Sequence, residues 1–177
     1  MASLYMRIEG QTPKGASTAE FTGGDSLAKD GWFTIASFQW GAVRSVGMDI
    51  GDGFNADSGM VGMQELVVKK VLCGASENIL SCLYIPGSEG KVFDLIATKP
   101  DRKGQGVQVY LQVKLEKARI VSYSISGADS DQPNETIAIA YNLIKVKHWH
   151  ETASGELEAG GLVTFDLPTG KVLSGNQ

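Results

Sequence analysis

His148 and His150 flank Trp149, so on an extended strand both imidazoles leave from one face, a spacing able to bind a metal ion if a third ligand arrives from another segment. They are the only histidines of the chain and no cysteine lies beside them, which favours a surface or interface pair at the end of a strand. A second constellation, Asp49-Ile50-Gly51-Asp52-Gly53-Phe54-Asn55-Ala56-Asp57, offers the carboxylates and the flexible turn that calcium requires. The spacing does not complete a site. Counted from Asp49, the third and fifth positions are Gly51 and Gly53 and the twelfth is Met60, where an EF-hand needs acids. Cys73 and Cys82 lie close to a helix start, where a dipole could lower a thiol pKa, but Cys82 falls on an apolar stripe, and both are expected to act as small hydrophobes. No G-x-S-x-G elbow, no G-x-G-x-x-G between a strand and a helix and no Walker loop occurs. The residues alone support neither an enzyme nor a metal or cofactor site.

Any such groups would be positioned mainly by strands. The chain has 177 residues, 42% hydrophobic and 20% charged, with 22 glycines, a composition that suits a single turn-rich β domain over 1–177. Sixteen basic against twenty acidic residues give a net charge of -4, which repels phosphate backbones, so no nucleic acid is expected as a partner. Met1 to Glu9 alternates apolar and polar residues where a signal peptide would show a basic start and an apolar run. No apolar stretch is long enough to span a bilayer, so no membrane insertion is expected. Two cysteines cannot build a disulfide framework and fit production in a reducing cytoplasm.

Leu4, Met6 and Ile8 alternate with polar residues and predict a first strand. Gly10 to Gly31 is polar and too poor in apolar residues to hold a core of its own. From Trp32 to Ala42 the apolar parity switches near Ser37, which predicts a bulge or bend. Gln64 to Leu72 reads as a strand. Ser76 is the expected cap of a single helix of about three turns, with Ile79, Leu80, Cys82 and Leu83 on its apolar stripe and Pro86-Gly87 as its stop. Lys91–Lys99, a long amphipathic strand from Val107 continued past a bend to Ile125, a strand from Ile137 with a bulge before Ile144, and Leu162–Leu167 complete the pattern. An exposed polar tail is expected from about Gly170. The expected fold is mainly β, an antiparallel β-barrel or two-sheet sandwich with one short α-helix. Arg44 to Gly62 stands apart: a glycine-rich loop that also carries Val46, Met48, Ile50, Phe54 and Met60 has to dock on something.

The order of these features resembles the haemolysin-coregulated protein (Hcp) family of the bacterial type VI secretion system. The resemblance runs over nearly the whole chain. It is carried by Leu4-Tyr5-Met6-Arg7-Ile8-Glu9-Gly10, by Ile35-Ala36-Ser37-Phe38-Gln39-Trp40-Gly41, which is similar to the family's S-W-x-W-G region, and by Gln64-Glu65-Leu66-Val67-Val68-Lys69-Lys70, similar to its x-D-L-x-x-x-K strand. Ile120 to Gly127 and Asn134-Glu135-Thr136-Ile137 are similar as well. The sequence departs in Phe38, which stands for the first tryptophan, in a longer connection after Gly10 and in the segment His148 to Gly161. The resemblance implies a structural tube protein, not an enzyme: a single β-barrel domain over 1–177 closing into a homo-hexameric ring, with rings stacking into a hollow tube and a spike protein, a contractile sheath and small effectors as partners. It implies cytoplasmic assembly followed by secretion without a cleaved signal peptide. Within such a tube the loop from Val46 to Gly59 is expected to be the ring-stacking arm, inserting Ile50 and Phe54 against the neighbouring ring, with Val46, Met48, Asp49, Ile50, Phe54 and Asp57 as its contact residues. The reading it competes with is a metal- or ligand-binding β-barrel enzyme using His148 and His150.

Overall fold

The computed structural model describes residues 3–14, 16–47, 50–51, 56–57, 59–101, 104 and 106–174. In chain order its elements are β1 (Ser3–Ile8), β2 (Phe21–Thr22), β3 (Trp32–Ile35), β4 (Ser37–Gln39), β5 (Ala42–Val43), β6 (Val46–Gly47), β7 (Ala56–Asp57), β8 (Gly62–Met63), β9 (Leu66–Val71), α1 (Ser76–Tyr84), β10 (Lys91–Pro100), β11 (Val107–Ser126), β12 (Asn134–Ala140), β13 (Leu143–Glu151), β14 (Leu157–Asp166) and β15 (Lys171–Ser174). The fold is mainly antiparallel β, with one helix among the described residues. One layer runs β15-β14-β13-β11-β10-β1-β3. A smaller layer is made by the second half of β11 with β12, β9 and β4.

Two strands turn the corners between the layers. β11 is twenty residues long; its first half pairs with β10 and β13 and its second half with β12. Lys117 at the junction takes a positive φ of 50°, uncommon for a residue with a side chain, and the chain re-aims there. At the other corner β3 pairs with β1, β4 pairs with β9, and only Ala36 separates them, at the bend expected near Ser37. Of the two expected architectures, the sandwich therefore describes the molecule, since no single ladder closes into a barrel.

Between the layers lie Met6, Ile8, Phe93, Leu95, Val113, Leu115 and Ile144 from the larger sheet and Leu66, Val68, Ile120, Ile137 and Ile139 from the smaller. Ile79 and Cys82 of α1 close one end of this core. The outer face of the larger sheet carries a second cluster, in which Tyr5, Trp32, Ile96 and Val109 are covered by Ala19, Phe21, Leu27 and Trp149. The polar connection 10–31 thus holds no core of its own but lends three apolar residues to this one. Phe21 sits edge-on to both Tyr5 and Trp32, with ring centroids 5.0 and 5.5 Å away.

Several expectations need correction. Ser76 does not cap α1: the cap position is Ala75, without a side-chain bond, and Ser76 is the first helical residue. Its hydroxyl is drawn inward instead, accepting from the Cys73 amide at 3.2 Å and from Lys70 Nζ at 3.1 Å. Cys82 is buried as expected, whereas Cys73 is exposed. The glycine-rich segment is not a structureless loop, because β5 pairs with β8 and β6 with β7, making a two-stranded arm. Of the expected tail from Gly170, Lys171, Val172 and Leu173 are exposed, but Lys171–Ser174 pairs with β14 as an edge strand. Before Ile144 the chain breaks at Tyr141-Asn142 instead of bulging. Register with β11 is nevertheless kept, Ala140 opposing Arg119 and Leu143 opposing Glu116, so β12 and β13 form one long hairpin arm against β11.

Candidate assembly surface

The arm leaves and re-enters the body between Gly41 and Gln64, where the Gln64 amide donates to the Gly41 carbonyl at 2.9 Å. Its root is fixed by a short relay. Trp40 Nε1 donates to the Tyr141 hydroxyl, and that hydroxyl donates to the Gln64 carbonyl at 2.9 Å. Burial pushes the Tyr141 phenol above its ordinary pKa, and the bond from Trp40 only partly offsets this, so the relay stays neutral across the physiological range. At Gly41 a Cβ would stand 2.6 Å from Gln64 Oε1, so any side chain there would have to displace the end of Gln64. Farther out, Met60 lies over the turn into β15, and Gly170, at φ +64°, leaves the space that the Met60 methyl occupies.

Of the six residues expected to make the stacking contact, Val46 and Ile50 are exposed apolar side chains, Val46 on β6 and Ile50 at the turn of the arm. Asp57 stands in β7 with its backbone opposite Val46. Met48, Asp49 and Phe54 lie outside the described residues. Val43 and Met60 add exposed apolar surface to the same arm. Val43, Val46, Ile50 and Met60 thus give the described part of this hairpin four exposed apolar side chains.

The chemical candidates do not assemble. His150 Nε2 comes within 3.5 Å of Glu158 Oε2 across the β13–β14 pair, with both side chains exposed, and the backbone of His148 stands opposite Leu111. Among the described residues no group of three or more His, Cys, Asp or Glu side chains could hold a metal ion. No described helix is long and apolar enough to cross a membrane.

Charged groups that sequence reasoning missed sit inside. Lys70 and Glu135 are fully buried partners, with Tyr123 donating to Glu135 and Lys70 donating to Ser76. The available signal was parity, since Lys70 continues the buried face of Leu66 and Val68 on β9. On the outer face of the larger sheet, Asp94 is buried between Arg7 at 3.4 Å and Lys114 at 3.9 Å. Burial raises its pKa despite both cations.

A family model described as type VI secretion system effector, Hcp, matches residues 5–148. The fold is similar to that of solved structures over nearly its full length. One, described as a type six secretion system protein, shares 22% identity at a TM-score of 0.77, covering 97% of this chain and 99% of that one. Hcp1 from Salmonella typhimurium shares 16% at 0.65, covering 97% and 99%. The secreted protein Hcp3 from Pseudomonas aeruginosa shares 18% at 0.52, covering 90% and 97%. Among curated proteins, none matches the sequence.

Proposed function

The chain belongs to the type VI secretion system Hcp family, and on that premise we propose that it is a structural, non-enzymatic tube component whose protomers close into hexameric rings. Rings stack through the 42–63 arm into a hollow tube that carries effectors and works with a spike protein and a contractile sheath. Assembly takes place in the cytoplasm, and the tube leaves the cell without a cleaved signal peptide. The observation that carries this reading is the family match over residues 5–148 of a two-sheet body from which an apolar arm projects. A ring built from one chain needs two different patches that meet by rotation, whereas stacking repeats along the axis. A projecting hairpin suits the second task.

The test is size-exclusion chromatography with light scattering, followed by negative-stain electron microscopy. Six protomers per particle and annular projections are expected. A monodisperse monomer with an intact β spectrum over a wide concentration range would overturn the proposal.

A further inference from the structure

β15 ends the larger sheet with no strand on its outer side among the described residues. Edge strands of isolated proteins are normally protected by charge, proline or a bulge. This one carries Lys171 and a register shift at Leu173, yet it still presents Val172, 51% exposed, on the inner face and Leu173, 58% exposed, at the shift. Val163 of the adjoining β14 is exposed too. The inner face is apolar here because it continues the core row Leu115, Ile144, Phe165, Val172, past the point where the smaller sheet stops covering it.

A second open edge exists. On one side β11 pairs with β2 at Val107 and Gln108, with β13 from Leu111 to Glu116 and with β12 from Arg119 to Ser126, and β10 occupies the other side only as far as Ala118. Beyond that, residues 119–126 have no strand on this side among the described residues. Val121 and Ile125, 47% and 52% exposed, lie along this stretch, and α1, which packs on β11, ends in Tyr84 and Ile85, 74% and 76% exposed. The two edges lie on opposite sides of β11. Charge also matches: Lys171 opens β15, while Asp129 and Asp131 occupy the exposed turn after β11.

Resting on the ring reading above, we propose that β15 of one protomer docks against the 119–126 edge of β11 and the end of α1 in the next copy of the chain, and that this is the ring contact. Each protomer then offers one patch to each neighbour, the head-to-tail arrangement that closes by rotation. Backbone groups left open on both edges are satisfied in the same contact. The turn of the stacking arm at Ile50 takes no part in it, although the root of the arm lies beside β15, with Met60 against Gly170.

Two variants, Val172→Asp on one edge and Val121→Asp on the other, test this by light scattering. Each alone is expected to be a folded monomer by circular dichroism. Mixed, they retain one intact pair of patches and should give a dimer and nothing larger. If the unmodified protein is hexameric while either folded variant remains hexameric, or if the mixture stays monomeric, this contact is wrong and the ring reading survives. If the unmodified protein is itself monomeric, both fail. Should either aspartate variant not fold, Leu173→Cys with Val121→Cys in a Cys73→Ser chain, treated with a flexible bismaleimide, should give a covalent ladder up to six protomers. Absence of a ladder from hexameric protein would overturn the assignment.

Discussion

Lys70 and Glu135 stand directly opposite one another on β9 and β12, joined as an ion pair with neither side chain exposed. A charge placed there is tolerable only because each partner is satisfied: Tyr123 donates to the second carboxylate oxygen and Ser76 accepts from the ammonium. The pair joins the central strands of the smaller sheet beneath the start of α1. Removing one partner leaves a buried charge without compensation, which costs about 3–5 kcal/mol in general, while replacing both by apolar residues is often neutral.

The expected outcome is a steep loss of stability for Glu135→Gln or Lys70→Met alone, on the order of 3–5 kcal/mol. Lys70→Met with Glu135→Leu and Tyr123→Phe should recover most of it. Urea denaturation of the four proteins decides the matter; a triple variant as unstable as the singles would show that the network supplies packing that apolar groups cannot.

The same network predicts two limbs in the pH dependence of stability. Burial alone would raise the Glu135 pKa, but hydrogen bonds from Lys70, Tyr123 and Ser76 and the Lys70 charge outweigh it and hold the carboxyl below its ordinary 4.5. Its contribution is complete above that ordinary value and is lost as the pH falls through the lower, folded value. Tyr123 behaves oppositely. Burial, then its bond to Glu135 and the charges of Glu135 and Tyr84, push the phenol from 10.0 up to about 12. The folded protein keeps that proton where the unfolded chain releases it, so stability falls between about pH 10 and 12. Thermal denaturation against pH should show both limbs, and Tyr123→Phe should remove Tyr123's share of the alkaline one while moving the acid one upward.

Asp94 is the reverse of Glu135. Its pKa is raised above 3.8, first by burial, with Lys114 and Arg7 opposing and Glu9 assisting. Its contribution to stability is therefore present below 3.8 and lost as the pH rises through the folded value. Asp94→Asn should gain in melting temperature relative to the unmodified protein as the pH rises through that window. A difference that moves the other way as the pH rises would show that the charges of Arg7 and Lys114, not burial, govern the site.

Much of this fold is legible in the sequence where one face is wet and the other dry. β1 and β11 follow from simple alternation, and the corner at Ala36 from a change of parity. What escapes is what breaks that rule. Lys70 gives no sign of burial in its residue type, because lysine is rarely buried, although its parity places it with Leu66 and Val68. Four residues after Gly170 read as a tail because their pairing is decided by β14, not by their own pattern. The 42–63 arm reads as a loop because its glycines mask two short ladders. Ser76 has the residue type of a cap but is claimed by Lys70, a contact six residues back that no local signal announces.

The two histidines give a prediction about metal. His150 Nε2 meets Glu158 at 3.5 Å, on an exposed face where water competes for every ligand. Stability should be the same with EDTA, zinc or calcium, since a metal that binds only the folded state would raise the melting temperature in proportion to its affinity. A stoichiometric shift of several degrees, lost in His148→Ala, would restore the enzyme reading.

The arm supplies the sharpest separation of ring from tube. Ile50 lies at its turn, exposed and distant in sequence from the β15 and β11 edges. If the turn inserts into the next ring, Ile50→Asp places a charge in a contact that excludes water, at a cost on the order of a few kcal/mol per contact. Summed around a ring, that is enough to abolish stacking and secretion. Ring mass should be unchanged, because the ring contact uses other surfaces, and Phe54→Asp should behave in the same way. Electron microscopy beside light scattering reads both quantities from one preparation: tubes as long as those of the unmodified protein would remove the arm from the stacking contact, and loss of the ring would move it to the other interface.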